Sequence, residues 1–302
     1  QSLQYNVSTE TDVTVPRTTL LAPVSGTANS TNFFVNATVL DTFTVARVQY
    51  RYENGTTNSS WIAMTQEGSG TNWSATFDIT QSGDGNYTIR INASDEFNNS
   101  NTTIIASGIV VDTVNPVAVL NLPLQNQTRD NSITNFTVNI TDTNVNNVSV
   151  YIDGVLNETN SSRVSGTYLF AKTLSDGPHN WSILTYDIVG HSNQTTTRNF
   201  TVDTVYPTTI INTTTGWKIA NFSINVTVLD NGTMATVFYR SENSSANGSW
   251  MVLSQSGSVW SAPFNSSGIT DGNYTIRINA TDTAGNSNTT QTIAVSYDTV
   301  TP

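Results

Sequence analysis

The ten residues DGNYTIRINA occur twice without a change, at 84–93 and 271–280. Within them Tyr87, Ile89, Ile91 and Ala93 share one parity, while Asn86, Thr88, Arg90 and Asn92 hold the other. A period of two is that of a strand with one wet face and one dry face, which excludes a helix at these positions. The Asp-Gly pair in front is a turn signal that launches the strand. Downstream each copy meets a second marker, Asp-Thr-Val-x-Pro, ending at Pro116 and Pro302. A looser copy starts at Asp176 as DGPHNWSILTYD and closes on DTVYP at Pro207.

These markers divide the 302 residues into three repeats, expected at 17–116, 117–207 and 208–302. The first and third are closest. NFFVNATVLD (32–41) parallels NFSINVTVLD (221–230), and NWSATF (72–77) parallels VWSAPF (259–264). The second keeps NFTVNITD (135–142) and has a shorter middle. Each repeat carries about seven strand candidates separated by Gly, Asn and Asp turns, the pattern of an antiparallel sandwich. Essentially no helix is expected. Residues 1–16 end in Asp12-Val-Thr-Val-Pro16, the spacing that closes every later repeat. They read as the last strand of a preceding domain, or as a strand donated to a neighbouring subunit.

Composition limits the functions open to such a chain. A net charge of −11, with only 11 Lys and Arg scattered along the chain, argues against a nucleic-acid partner, whose phosphates need clustered basic residues. No apolar run is long enough to span a membrane, and no signal-peptide pattern opens the chain, as in a processed secreted protein. Cysteine is absent, which removes disulfides and thiolate chemistry. The two histidines, His179 and His191, have no partner set of the kind that holds a catalytic metal, so no enzyme is expected. Of the tryptophans, Trp73 and Trp260 fall at matching strand positions, which favours a buried role over a sugar-stacking platform.

Two sets of candidate sites remain. Asn-x-Ser/Thr recurs at about thirty places in the sequence. In the strands Asn36, Asn86, Asn92, Asn135, Asn139, Asn221, Asn225, Asn273 and Asn279 all take the solvent parity, where N-linked glycans are permitted. The second set is acidic. In a sandwich of this order the loops after the second and sixth strands lie at the N-terminal pole. That brings Asp203 of the linker together with Asp230 and Asp282, with Asp176 facing them. It does the same for Asp112, Asp142 and Asp187 with Asp84. Clustered carboxylates repel unless a cation intervenes, and Ca²⁺ accepts six to eight oxygens. The same aspartates also serve as plain turn formers that bond their own backbone.

The run DGNYTIRINATDTAGN (271–286), followed by the closing Asp-Thr-x-x-Pro, resembles the immunoglobulin-like repeats of bacterial and archaeal surface proteins. The second repeat departs most, with Asn180-Trp181 where the others have tyrosine and Gly190-His191 for Gly-Asn. The resemblance implies three sandwiches in a rod, a tyrosine corner at Tyr87 and Tyr274, and junction calcium that stiffens the linkers. No other cofactor is required. It implies a surface location and says little of function. The repeats, linkers and polar coat together lead us to expect an extracellular structural protein, a glycosylated subunit of a filament, stalk or S-layer-like lattice whose partners are copies of itself or neighbouring surface proteins. An adhesin or carbohydrate-binding module, or an accessory region of a secreted hydrolase, is the alternative.

Overall fold

The computed structural model describes residues 11–56, 58–219, 221–264, 266 and 269–299. Of the strand expected over 1–16, as the end of a preceding domain or as a donor, residues 1–10 lie outside the described residues, and 11–16 form no strand.

Alternation along the strands builds three separate cores. In the first, Val35, Ala37 and Val39 of the strand Phe33–Leu40 face Tyr87, Ile89 and Ile91 of Gly85–Asp95 across the gap between two sheets. Phe136, Trp181 and Phe200 centre the second core, and Trp260, Phe264 and Tyr274 the third. Each fully buried large side chain contributes about 1.5–3 kcal/mol relative to exposure. Because these residues recur every second position, a register slip of one would turn the whole set outward.

Each core lies between one smaller and one larger sheet. In unit 1 the smaller sheet orders Arg17–Ala22, Phe33–Leu40, Asn72–Phe77 and Thr65–Gln66. The larger orders Ala28–Asn29, Ser100–Val111, Gly85–Asp95, Val45–Glu53 and Ile62–Ala63. Units 2 and 3 repeat this plan from Val117 and Thr208 onward. In unit 2 the shorter middle is a hairpin, Val145–Ile152 with Val155–Asn160, turned by Asp153 and Gly154 at φ 53° and 77°. Positive φ at both central residues gives the turn the twist that paired strands need.

Two details depart from expectation. The sheets are not wholly antiparallel, since Ala28–Asn29, Gln127–Arg129 and Gly216–Lys218 each pair parallel with the last strand of their unit. In units 1 and 2 a proline, Pro23 or Pro123, follows the first strand; it cannot donate to the ladder, and the chain crosses to the other sheet after it. A single helical turn also occurs, Ile79–Ser82, because Asp78 caps it by accepting from the Thr80 amide at 3.0 Å.

The corner tyrosines are buried, and their hydroxyls bond backward. Tyr87 donates to the carbonyls of Ser82 (2.6 Å) and Gly83 (3.1 Å), and Tyr274 to that of Thr270 (2.9 Å). In unit 2 the pairing register puts His179, opposite Phe200, where Tyr87 stands opposite Ile109. The residue that replaces tyrosine is therefore His179, and Trp181 takes the place of Ile89. The His179 Nε2 meets the Ser175 carbonyl at 2.9 Å, again four residues back.

Candidate functional site: carboxylate clusters at the unit junctions

The Asp-Thr-x-x-Pro linker explains itself once the units are in place. Its threonine belongs to the unit behind. Thr113 donates from amide and hydroxyl to Asp84 (3.0 and 2.9 Å), Thr204 to Asp176 (3.1 and 2.9 Å), and Thr299 to Asp271 (both 2.9 Å). Its aspartate belongs to the unit ahead. Asp203 meets Asp230 and Asp282, with candidate ligand atoms within 4.8 Å of one another. Neighbouring residues are thus held by successive units.

At this junction Asp203 and Asp282 are buried. Asp282 Oδ1 accepts the amides of Gly285 (2.7 Å) and Asn286 (2.9 Å), and the Asn286 side chain bridges Asp282 Oδ2 and the Asp203 carbonyl, both at 2.8 Å. Asp230 Oδ2 accepts the Gly232 amide at 3.0 Å, while its Oδ1 is buried with no hydrogen-bond partner. Gly232 lets the two loops close up here, because a Cβ on it would lie 2.4 Å from Asp203 Oδ2 and displace that carboxylate. Burial first, then repulsion from Asp282 and Asp230, pushes the Asp203 carboxyl above its ordinary value.

The junction between units 1 and 2 is built differently. Asp112, Asp187 and His191 come together. Asp187 Oδ1 accepts three successive amides, from Val189, Gly190 and His191, and its Oδ2 meets His191 Nδ1 at 2.9 Å. Asn144 donates to Asp112 Oδ2 at 2.9 Å. Asp142 is close enough to feel both acids; burial, then Asp112 and Asp187, raise its pKa. Asp84, Asp112, Asp142 and Asn144 line a cleft of about 570 Å³. Here side chains of the protein, an amide and an imidazole, take up carboxylate oxygens.

A third cluster, Asp12, Asp41 and Asp95, caps unit 1. Asn99 bridges Asp95 Oδ2 (2.9 Å) and the Asp12 carbonyl (3.1 Å), as Asn286 does at the other end. Asp12 Oδ2 is buried without a hydrogen-bond partner. The Thr14 hydroxyl and amide on its other oxygen hold Asp12 below its ordinary value.

Of the acids singled out from sequence, Asp203, Asp230 and Asp282 converge, as do Asp112 and Asp187, with Asp142 beside them. Asp84 and Asp176 do not join the ligand groups; their carboxylates hold the linker threonines instead. Sequence reasoning did not group Asp12, Asp41 and Asp95, and it gave His191 no partner set, whereas the structure sets it beside Asp112 and Asp187. The signal for the first three was present, because Asp41 aligns with Asp230 and Asp95 with Asp282. The turn-forming role is present too, since most of these aspartates also accept a nearby backbone amide.

None of the nine strand asparagines enters a core. Asn86, Asn135, Asn139, Asn221 and Asn273 are exposed, while Asn36, Asn92, Asn225 and Asn279 are half-buried. Trp260 is buried and Trp73 half-buried against its core, whereas Trp217 is exposed.

His179 sits away from these clusters, with Nδ1 2.8 Å from Asp153 Oδ2. Both its ring nitrogens face acceptors, an arrangement only the imidazolium satisfies fully. Burial is the largest single influence and opposes the charge, but the Asp153 bond, the Ser175 carbonyl and the Asp153 charge together exceed it and raise the His179 pKa above 6.5. Asp153, where burial also opposes the charge, is held below 3.8 by the same bond together with the Asn180 amide and the His179 charge. A raised histidine stabilises fully below its unfolded value and loses that contribution as pH rises through its folded value. Asp153 contributes above its unfolded value and fails only in acid. Unit 2 is therefore expected to melt at a lower temperature at about pH 8.5 than at about pH 6. His179→Tyr, which restores the corner hydroxyl, should flatten that slope in calorimetry; an unchanged slope would locate the titrating group elsewhere.

Family models for bacterial Ig domains match three stretches: a bacterial Ig domain at 16–91, a bacterial Ig-like domain at 213–299, and a bacterial Ig-like domain of group 3 at 71–155, which straddles the first linker. No curated protein matches the sequence significantly. Among solved structures, the titin I-band fragment I67–I69 is similar at 15% identity, covering 95% of this chain and 99% of that one, with a TM-score of 0.49. A tetra-tandem repeat from the extending region of a large adhesion protein is 20% identical, covering 94% and 74%, with a TM-score of 0.34. A 1.5-MDa bacterial ice-binding adhesin is 16% identical, covering 89% of each chain, with a TM-score of 0.34. With family matches reaching into each of the three sandwich units, the chain is built of bacterial immunoglobulin-like repeats in tandem.

Proposed function

We propose that this chain is a load-bearing spacer in a cell-surface protein, a stalk segment that holds its two ends apart outside the cell. The observation that carries this reading is the two-way linker, whose threonine is bonded to one unit and whose aspartate is bonded to the next. Such a joint transmits orientation from unit to unit, which a flexible Gly/Ser linker does not. A divalent cation, calcium by the all-oxygen donor set, fits the outer two clusters, where a buried carboxylate oxygen lacks a partner. Asp12, Asp41 and Asp95 would hold one ion, and Asp203, Asp230 and Asp282 another. Each ion would cancel the repulsion that strains the joint. N-linked glycans on the exposed sequons complete the surface in this reading, since a chain with 11% charged residues relies on Asn, Thr and Ser for its polar coat. Small-angle scattering of the chain in calcium should give a maximum dimension close to three units laid end to end. A compact particle, with the units folded back on one another, would overturn the spacer.

A further inference from the structure

The smaller sheet of unit 2 has an unusual outer face. Burial alternates strictly along its central strand Ile133–Thr141, so Ile133, Asn135, Thr137, Asn139 and Thr141 all point outward. The outward positions of this strand and its two neighbours, Val117–Leu122 and Gly166–Thr173, include no ionisable side chain. They do include large apolar ones: Val119 and Ile133 are each 54% exposed and Leu169 is 58% exposed.

The register places these residues around the two sequons of the strand. Asn139 is directly opposite Val119, and Thr137, which completes the Asn135 sequon, is directly opposite Leu169. Ile133 lies two residues before Asn135 on the same face. Directly opposed Cβ atoms in such a ladder are about 5 Å apart, so each acceptor has an aliphatic group within reach of its first sugar. A pyranose ring has one face of C–H groups and a rim of hydroxyls. That pattern matches a face of aliphatics interleaved with Thr and Asn, and mismatches a charged one.

Resting on the glycosylated-coat reading above, we propose that N-linked sugars at Asn135 and Asn139 lie flat on this face. Their C–H surfaces cover Val119, Ile133 and Leu169, and their hydroxyls bond the intervening Thr and Asn. The carbohydrate is then the outer layer of the sheet, an integral part of unit 2. The same device recurs in the other units. Phe34, 62% exposed, stands two residues before Asn36 on one face, and Thr227 of the Asn225 sequon is opposite both Ile210 and Val259.

The test compares the chain isolated from its native cells with the same chain stripped enzymatically of N-glycans, in the parent and in Val119→Ser with Leu169→Ser. Both replaced side chains are exposed, so the core is untouched. Stripping should lower the unfolding temperature of unit 2 by about 4 °C or more in the parent. In the double variant the loss should be no more than half as large, with equal occupancy of Asn135 and Asn139 by glycopeptide mass spectrometry. An equal loss in both proteins would mean that the sugars act by bulk alone, which overturns the seating and leaves the coat standing. Native protein without carbohydrate at Asn135 and Asn139 overturns both.

Discussion

Trp181→Ala is expected to destabilise the second unit by about 3–5 kcal/mol, a larger loss than any surface or junction substitution should cause. The side chain is fully buried, and its ring lies 5.2 Å from that of Phe136, which in turn packs 5.7 Å from Phe200. Removing it opens a cavity in the middle of the core, where the surrounding strands are pinned by their ladders and cannot collapse inward. Small domains are stable by only about 5–15 kcal/mol, so the loss consumes much of what unit 2 has. Trp181→Phe should cost less than alanine for a specific reason: the indole Nε1 is buried without a hydrogen-bond partner, so replacement by phenylalanine removes an unsatisfied donor along with volume. Trp217→Ala, at a side chain 73% exposed, should change stability by no more than about 0.5 kcal/mol. Calorimetry of the whole chain resolves the units, and only the transition of unit 2 should move. A simultaneous shift of all three transitions would refute three independent cores.

Calcium should produce the second largest effect. Extracellular calcium modules bind with dissociation constants of about 0.1–1 mM. At a hundredfold excess over such a constant, a site present only in the folded state adds about 2.7 kcal/mol, which for a unit of this size raises the melting temperature by about 10 °C or more. Units 1 and 3 should respond, and chelation should reverse the shift. Asp230→Asn should abolish the response of unit 3 without touching unit 1, because it removes a ligand charge at the cluster that lacks a partner. Gly232→Ala should act similarly by forcing Asp203 aside. The middle junction should respond least, since Asn144 and His191 meet Asp112 and Asp187 there and neither acid keeps a buried oxygen without a partner, unlike Asp12 and Asp230. A chain whose melting is the same in calcium and in chelator would remove the metal from the reading while leaving the hydrogen-bonded linker intact.

Much of this architecture is written in the local pattern. Strict alternation in the repeated decapeptide fixes both the strand and its dry face, and the turn residues around it fix the number of layers. From strand order alone, Asp203, Asp230 and Asp282 could be placed at one pole, because loop positions in a sandwich follow from which way each strand runs. Apart from the Asp12, Asp41 and Asp95 cluster, which the repeat alignment already signals, what escaped depends on pairing across the chain. The parallel contacts at Ala28–Asn29 and Gln127–Arg129 are too short to show a period. His179 was hidden by Trp181, a bulkier residue two positions on that draws the eye as the aromatic of the motif, and only the register opposite Phe200 separates them. The threonine in Asp-Thr-x-x-Pro carries no signal of its own in the sequence, yet its hydroxyl reaches back 28 or 29 positions to an aspartate that, at Asp84 and Asp176, was a candidate cation ligand or turn former.

The parallel pairing near the start of each unit has a mechanical consequence. Chain enters a unit at one pole and leaves at the other, so tension drags the opening segment and the closing strand in opposite directions along a shared ladder. The bonds between Ala28–Asn29 and Ser100–Val111 then carry the load side by side in shear, whereas the rungs of a pulled hairpin open one after another. Together with the ladder that holds Arg17–Ala22 to Phe33–Leu40, these few residue pairs are where resistance to stretching is expected to lie, before the core is exposed.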